Sequence, residues 1–265
     1  MSIPRKIRCT VENIIDHGGR VYTVDLVPAT SVPPFRPGQF LHLTVDDYDP
    51  AGFWPESRVF SIASSPRDRQ RIRICYSVKG RYTTKMERVL KVGGEVWIKL
   101  PYGDFVIDGA SDAVLLAGGT GISAFTAFLE GIAPGASQAV TLVYGARTPG
   151  LLLFQDMILA QLAAVPGLQV VFFTETADQA FSQRMAALPR APRCLTGRIS
   201  LDSVLRPLTS DVRSLTSETR FPSSVLCPLS AAFYLSGPPI MLNTLSQQLL
   251  TRGVPADFVR TDAWE

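Results

Sequence analysis

The spacing of apolar residues changes character near residue 110. Before that point, short apolar runs are separated by glycine and proline, as in residues 21–27 and 71–78. Beyond it, wholly apolar runs such as residues 114–117 alternate with helix-like segments such as residues 151–165. Short, punctuated strands are typical of a small closed antiparallel barrel, and strand–helix alternation is typical of a doubly wound parallel sheet. The pattern predicts an antiparallel β-barrel domain in residues 1–108, followed by an α/β domain in residues 112–265.

Turn and cap signals place individual elements. The turn Asp16-His17-Gly18-Gly19 predicts a hairpin between residues 9–12 and 21–27, and Thr83 predicts the N-cap of a helix ending at residue 90. Residues 206–230 are rich in serine and threonine without periodicity, which predicts a long surface loop. Further strands are expected in residues 37–43, 58–63, 71–78, 95–100, 114–117, 140–144, 169–173 and 232–235.

Composition narrows the class of protein. The 265 residues are 46% hydrophobic and 18% charged, as in a well-cored globular protein, and a net charge of +3 does not suggest a nucleic-acid partner. No apolar run approaches the roughly 18 residues of a membrane span, and no secretory signal is visible. The four cysteines are far apart and form no C-x-x-C pair, so no metal site is expected. We expect a cytoplasmic monomer.

A glycine-rich turn follows the first apolar strand of the second half. Gly118, Gly119 and Gly121 flank Thr120, and an amphipathic segment begins at Ala124. Glycines let the backbone approach a ligand closely, and the amides that begin a helix suit a phosphate. The same turn is equally compatible with close packing between strand and helix.

Three other segments place chemically useful groups at strand ends. In residues 58–66, Arg58 offers a bidentate phosphate donor and Phe60 a flat surface for a planar heterocycle. In residues 76–84, amides beside the Thr83 hydroxyl could cradle a phosphate. Residues 234–241 join a strand end, a Gly-Pro-Pro turn and a helix at the sheet edge where α/β folds bind ligands. Each segment also has an ordinary structural explanation.

Taken in this order and at these separations, the four segments resemble the ferredoxin–NADP(+) reductase superfamily. That family carries R-x-Y-S, G-x-x-S, G-G-T-G and C-G-P-P-x-M, and the resemblance extends to residues 37–40, 101–105 and 144–147. The resemblance covers nearly all of the chain. Within the family, the chain is similar to oxygenase-reductase and flavodoxin-reductase members without an iron–sulfur domain. The resemblance implies that the barrel binds FAD, or alternatively FMN, and that the α/β domain binds NADH or NADPH.

The resemblance also implies site residues. Ser61, Thr120 and Ser236 would lie beside the reacting rings. The flavin would be bound by Arg58, Phe60, Ser61, Ile62, Tyr76, Val78, Lys79, Gly80, Arg81, Tyr82 and Thr83, with Trp264 as a terminal aromatic. The nicotinamide nucleotide would be bound by Gly118, Gly119, Thr120, Gly121, Arg147, Glu175, Gly237, Pro238 and Met241.

Some positions depart from the family pattern. Phe60 stands where tyrosine is usual, and Ser236 stands where the family often has cysteine. Glu175 follows the strand at residues 169–173, where NADP-specific members place basic residues, and Arg147 is the only basic candidate nearby in sequence. Because a carboxylate suits a ribose diol and repels a 2′-phosphate, we expect NADH to be preferred. Trp54 or Trp264 is either an adenine-stacking residue or an ordinary packing residue.

The resemblance implies an oxidoreductase that passes a hydride from the nicotinamide to flavin and then single electrons onward. The acceptor would be a separate ferredoxin, flavodoxin or oxygenase component, or else free flavin or oxygen. One alternative is an electron-transfer subunit of a larger complex with weak or no nicotinamide activity, and another is a pure nucleotide-binding module. A basic rim is either a docking surface for an acidic carrier or an ordinary solvated face. Its members are Arg67, Arg69, Arg71, Arg73, Lys79, Arg81, Lys85, Arg88 and Lys91.

Overall fold

The computed structural model describes residues 3–205 and 231–262. Two six-stranded sheets, one antiparallel and one parallel, organise this part of the chain. The predicted fold class is therefore confirmed. The loop predicted for residues 206–230 and Trp264 lie outside the described residues. Within those residues, no helix combines the length and the hydropathy that crossing a bilayer requires.

The first sheet is a nearly closed barrel with strand order β4-β3-β6-β1-β2-β5. The predicted hairpin is present, because Asp16 pairs with Tyr22 across the turn. Alternate residues of β1, such as Ile7, Cys9 and Val11, are buried in the barrel core. The strands are β1 (Arg5–Asp16), β2 (Val21–Pro28), β3 (Phe40–Thr44), β4 (Arg58–Ser61), β5 (Ile72–Ser77) and β6 (Glu95–Tyr102), and α1 (Arg81–Val89) lies between β5 and β6.

The second sheet is parallel, with strand order β10-β9-β8-β7-β11-β12. The chain runs outward from β7 in one direction through β8 and β9 and later returns to the other side of β7 through β11. The point where strand order reverses is where open α/β sheets bind ligands. The strands are β7 (Ala113–Gly118), β8 (Val140–Ala146), β9 (Leu168–Thr174), β10 (Arg193–Thr196), β11 (Ala232–Ser236) and β12 (Val259–Asp262). The helices are α2 (Ser123–Gly131), α3 (Gln155–Ala164), α4 (Gln179–Ala186) and α5 (Pro239–Thr251).

Two helix starts differ from the sequence prediction. Gly80, and not Thr83, is the N-cap of α1, so Thr83 lies inside the first turn. The Thr83 hydroxyl folds back and accepts from the amides of Lys79 and Gly80 at 3.0 and 3.1 Å, which satisfies donors that precede the helix. The helix-like segment at residues 151–165 is interrupted because Phe154 adopts a left-handed φ of 58°, and α3 begins only at the next residue.

The barrel and the α/β domain share apolar packing. Val21, Cys75 and Phe105 from the first half of the chain lie in the same buried cluster as the α/β residues Phe125 and Tyr144. A buried hydrogen bond also crosses the junction, from the Thr126 hydroxyl on α2 to the Ala63 carbonyl at 2.7 Å. Each such bond contributes about 1 kcal/mol to stability, and shared apolar burial contributes more. The two sheets are therefore held in a fixed relation around the space between them.

Candidate functional site

One cleft of about 1290 Å³ lies between the barrel and the carboxyl ends of the parallel strands. Its volume exceeds the 300–1,000 Å³ of an ordinary small-molecule pocket, so it has room for more than one ligand. Residues predicted from four separate segments line it together. From the barrel these are Arg58, Phe60, Ser61, Tyr76, Val78, Lys79, Gly80, Arg81, Tyr82 and Thr83. From the α/β domain they are Gly118, Gly119, Thr120, Gly121, Arg147, Glu175, Ser236, Gly237, Pro238 and Met241.

Ile62, which was expected in the site, and Trp54, which was left open between stacking and packing, both lie outside the lining of the cleft. Ile62 does not line the cleft, because its side chain is buried in the barrel core. Trp54 takes the packing alternative: its ring lies edge-on to Tyr48, with centroids 5.2 Å apart, and its indole nitrogen donates to the Ser57 hydroxyl.

The barrel side of the cleft presents cations at the start of α1. The Arg58 guanidinium stacks over the Tyr82 ring at 4.8 Å, which fixes its plane, and Arg81 lies at the first position of the helix. Because Thr83 accepts from the amides of Lys79 and Gly80, those two groups are already satisfied. The amides of Arg81 and Tyr82 belong to the first helical turn, which lacks intrahelical acceptors. This corner can bind an anion through guanidinium groups and two amides.

An aromatic wall borders this corner. Phe60 is buried and meets Tyr76 edge-on, with ring centroids 6.2 Å apart, and Tyr76 stacks on Tyr22 at 5.3 Å. Burial raises the pKa of Tyr76, so its hydroxyl stays protonated at neutral pH. The wall gives a planar heterocycle a rigid apolar surface.

The glycines of the glycine-rich turn serve two different purposes: two allow close packing, and one faces open space. A Cβ on Gly121 would lie 2.3 Å from the Ser236 carbonyl oxygen, and one on Gly118 would lie 2.6 Å from the Met241 sulfur. These two glycines therefore allow the end of β7 and the turn after it to pack against residues 236–241. Gly119 has a φ of +55° and open space around its missing side chain. Gly119 and Thr120 are thus left to face a ligand in the cleft.

A buried carboxyl group that sequence reasoning missed also lines the cleft. Asp262, at the end of β12, is 5% exposed. Its Oδ2 accepts from the Ser236 hydroxyl at 2.8 Å and from the Ser61 hydroxyl at 3.4 Å, while its buried Oδ1 has no hydrogen-bond partner among residues 3–205 and 231–262. Burial raises the pKa of Asp262 to about 7, although the two serine hydrogen bonds lower it. The carboxyl group can therefore hold or release a proton near neutral pH.

The far end of the cleft carries charges of both signs. Glu175 pairs with Arg198 at 3.4 Å, and Arg147 lines the same region. Arg147 is the only basic candidate near Glu175 in sequence, and the structure adds Arg198, because β10 pairs in parallel with β9 and brings Arg198 beside Glu175. The Gly197 amide donates to the Thr174 carbonyl at 2.8 Å, and this hydrogen bond holds the backbone next to Arg198 beside the backbone next to Glu175.

The basic rim is less positive than its composition suggests. Four of its nine members form ion pairs with neighbouring carboxylates: Arg71 with Glu12, Arg73 with Asp25, Arg81 with Glu56, and Lys85 with Asp46. Arg69 donates to the Val32 carbonyl. This pairing reduces the field available for steering an acidic partner.

The groups in the cleft suit a phosphorylated planar cofactor and a second nucleotide. The fit rests on the guanidinium and amide donors at the start of α1, the aromatic wall beside them, and the open backbone at Gly119 across the cleft. Among the described residues, no group of three or more histidine, cysteine, aspartate or glutamate side chains could hold a metal ion. Fold and site together define a two-domain scaffold whose cleft has room for a phosphorylated planar cofactor beside a second nucleotide.

Comparison with known proteins agrees with this class. No known protein-family profile matches the chain. The toluate 1,2-dioxygenase electron transfer component of Pseudomonas putida is 26% identical over 232 residues, which are 84% of this chain and 57% of that protein. The NAD(P)H-flavin reductase of Aliivibrio fischeri is 31% identical over 133 residues, 47% of this chain and 53% of that protein. The chain spans about half the length of the curated relatives it matches.

A solved structure shows the same fold. The FAD/NAD-binding domain of nitric oxide dioxygenase from Vibrio cholerae superposes with a TM-score of 0.72 at 20% identity, covering 97% of this chain and 98% of that one. These relatives and this fold agree with the resemblance to the ferredoxin–NADP(+) reductase superfamily that the sequence motifs indicate.

Proposed function

We propose that the chain is an NAD(P)H-dependent flavoprotein reductase that prefers NADH and supplies single electrons to a separate redox protein. The observation that carries the proposal is the single cleft in which anion-binding groups of the barrel and a backbone turn of the α/β domain face each other. A bound flavin accepts a hydride from a reduced nicotinamide and releases electrons singly. The residues of the cleft need only position two rings and exclude water.

Each side of the cleft has its own task in this proposal. Arg58 and the first-turn amides of α1 bind the flavin phosphate, and the wall of Phe60 and Tyr76 orients the ring system. Across the cleft, Gly119 and Thr120 bind the nicotinamide nucleotide. Ser61 and Ser236 come from opposite domains and share Asp262, so the three side chains hold the two halves of the reaction centre in register. The carboxyl group of Asp262 can hold or release a proton there near neutral pH.

The electron acceptor is proposed to be a ferredoxin, a flavodoxin or an oxygenase component. The Pseudomonas putida relative is named as an electron transfer component of a dioxygenase, which supports an acceptor of this kind. The ion pairs of the basic rim argue against strong electrostatic attraction, so contact around the cleft mouth has to supply much of the affinity.

A colour test separates this function from its alternatives. The purified chain reconstituted with FAD is expected to be yellow and to bleach without oxygen when NADH is added. NADPH is the paired comparison and should bleach it more slowly. A yellow protein that neither cofactor bleaches would support an electron-transfer subunit, and failure to bind flavin would reject the proposal.

The charges at the far end of the cleft are expected to set coenzyme preference. Glu175→Gln removes the carboxylate that would repel a 2′-phosphate but leaves Arg198 and Arg147 in place. We expect the ratio of kcat/KM for NADPH to kcat/KM for NADH to rise about tenfold, or about 1.4 kcal/mol. Arg198→Gln should lower this ratio, because it removes a cation that could pair with the 2′-phosphate of NADPH. A wild-type preference for NADPH, or a ratio that neither variant moves, would contradict this assignment.

A further inference from the structure

A carboxylate lies against two arginines, Arg58 at the start of β4 and Arg81 at the start of α1. Glu56 Oε1 is 3.1 Å from Arg58 Nη2 and 3.4 Å from Arg81 Nη2, and Glu56 Oε2 is 3.5 Å from the same Arg81 nitrogen. Sequence reasoning did not single out this residue. One negative charge therefore bridges two cations that both line the cleft.

The position of Glu56 is built into the barrel. Its backbone carbonyl accepts from the Tyr82 hydroxyl at 3.0 Å, and that hydroxyl accepts from the Val45 amide at 3.1 Å. Tyr82 is buried, and its ring also carries the Arg58 guanidinium. Tyr82 thus holds both the backbone of Glu56, through its hydroxyl, and the plane of the Arg58 guanidinium, through its ring.

The charges have a consequence for any phosphate in this corner. A guanidinium presents its donors in one fork, and donors that face Glu56 are unavailable to a second anion. The phosphate monoester of FMN carries nearly two negative charges at neutral pH, and each phosphate of the FAD pyrophosphate carries one, so an adjacent carboxylate opposes the approach of either group. An unphosphorylated ring system would not meet this opposition.

We propose that Glu56 is a specificity residue that competes with the flavin phosphate for Arg58 and Arg81. It lowers the affinity of the site for FMN and FAD while leaving the affinity for riboflavin nearly unchanged. The affinity of the chain for FMN and FAD therefore exceeds its affinity for riboflavin by a smaller factor than two arginines without Glu56 would give. This inference rests on the proposed function, because it assumes that flavin binds in the cleft.

The test measures flavin affinity and needs no turnover. The full chain, freed of flavin, is titrated with riboflavin, FMN and FAD, and dissociation constants are read from flavin fluorescence. Since exposed ion pairs are worth up to about 1 kcal/mol, Glu56→Gln is expected to bind FMN and FAD about fivefold more tightly and riboflavin less than about twofold more tightly. The gain should shrink at 1 M salt, where the Debye length falls to about 3 Å.

Glu12→Gln is a matched control. The Glu12 side chain pairs with Arg71 and is 38% exposed, against 39% for Glu56, but Arg71 does not line the cleft, whereas Arg58 and Arg81 do. Its removal should leave all three dissociation constants unchanged. If Glu56→Gln binds FMN no more tightly than the wild type, or more weakly, Glu56 positions the arginines and does not compete, and the inference fails. If the wild type binds none of the three flavins, the proposed function fails and the inference falls with it.

Discussion

Replacing Gly121 by alanine is expected to lower the free energy of unfolding by about 3 kcal/mol, because overpacking against groups that cannot move costs this much. The new Cβ would lie 2.3 Å from the Ser236 carbonyl oxygen and 2.7 Å from the Gly237 nitrogen, and both are backbone atoms. For a chain of this size, the loss corresponds to a fall in Tm of roughly 6–12 °C. Because residues 236 and 237 also line the cleft, nucleotide binding should weaken in the same variant. Thermal unfolding and NADH titration measure both effects.

Two other glycines provide a graded comparison. Gly118→Ala would meet the flexible side chain of Met241, so its cost should be smaller. Gly131 is the last residue of α2 and has open space around its missing side chain, so Gly131→Ala should be neutral or slightly stabilising. Equal stability of the Gly121 and Gly131 variants would show that the turn does not need its close approach to β11.

Asp262→Asn is expected to change how stability depends on pH. In the folded chain the pKa of Asp262 is raised from 3.8 to about 7, so the folded state binds this proton more tightly than the unfolded state does. The stabilising contribution of the protonated group is full below pH 3.8 and is lost as the pH rises to about 7. The shift corresponds to about 4 kcal/mol across that window. Asparagine has no proton to lose, so the variant should gain stability over the wild type as the pH rises.

Denaturation at pH 5, 6, 7 and 8 tests this expectation. The stability difference between the variant and the wild type should grow over the range and level off above pH 7. Asp257→Asn, at an exposed position, is the control and should follow the wild type at each pH. Parallel profiles for the Asp262 variant and the wild type would show that Asp262 is ionised throughout.

The elements that carry a local signal were predictable from sequence. Apolar runs located the main strands of both sheets, and the glycine-rich turn was recognised, although its sequence left packing and ligand binding equally open. The structure assigns packing to Gly118 and Gly121, because only the fold brings Ser236 and Met241 against them. Short strands with mixed exposure, such as β10 and β12, have no comparable pattern and were missed.

The missed site residues share a physical cause. Asp262 is an isolated aspartate near the end of the chain, and its contact with Ser61 spans 201 residues of sequence. Arg198 reaches Glu175 only through the pairing of β10 with β9. Glu56 faces two arginines because Tyr82 holds its backbone. None of these contacts follows from periodicity or a motif, since each depends on the tertiary position of another element.

The barrel residues Val21, Cys75 and Phe105 lie within the apolar cluster of the α/β domain, and this sharing bears on how the protein can be divided. A fragment cut near residue 110 would leave α2 and β8 without part of their apolar cover and would expose Tyr144 and Phe125 to water. The two domains should therefore melt in one calorimetric transition, and neither half expressed alone should remain monomeric and folded. The two domains therefore form one folding unit. Replacing either domain by that of another protein would require new apolar side chains in the shared cluster.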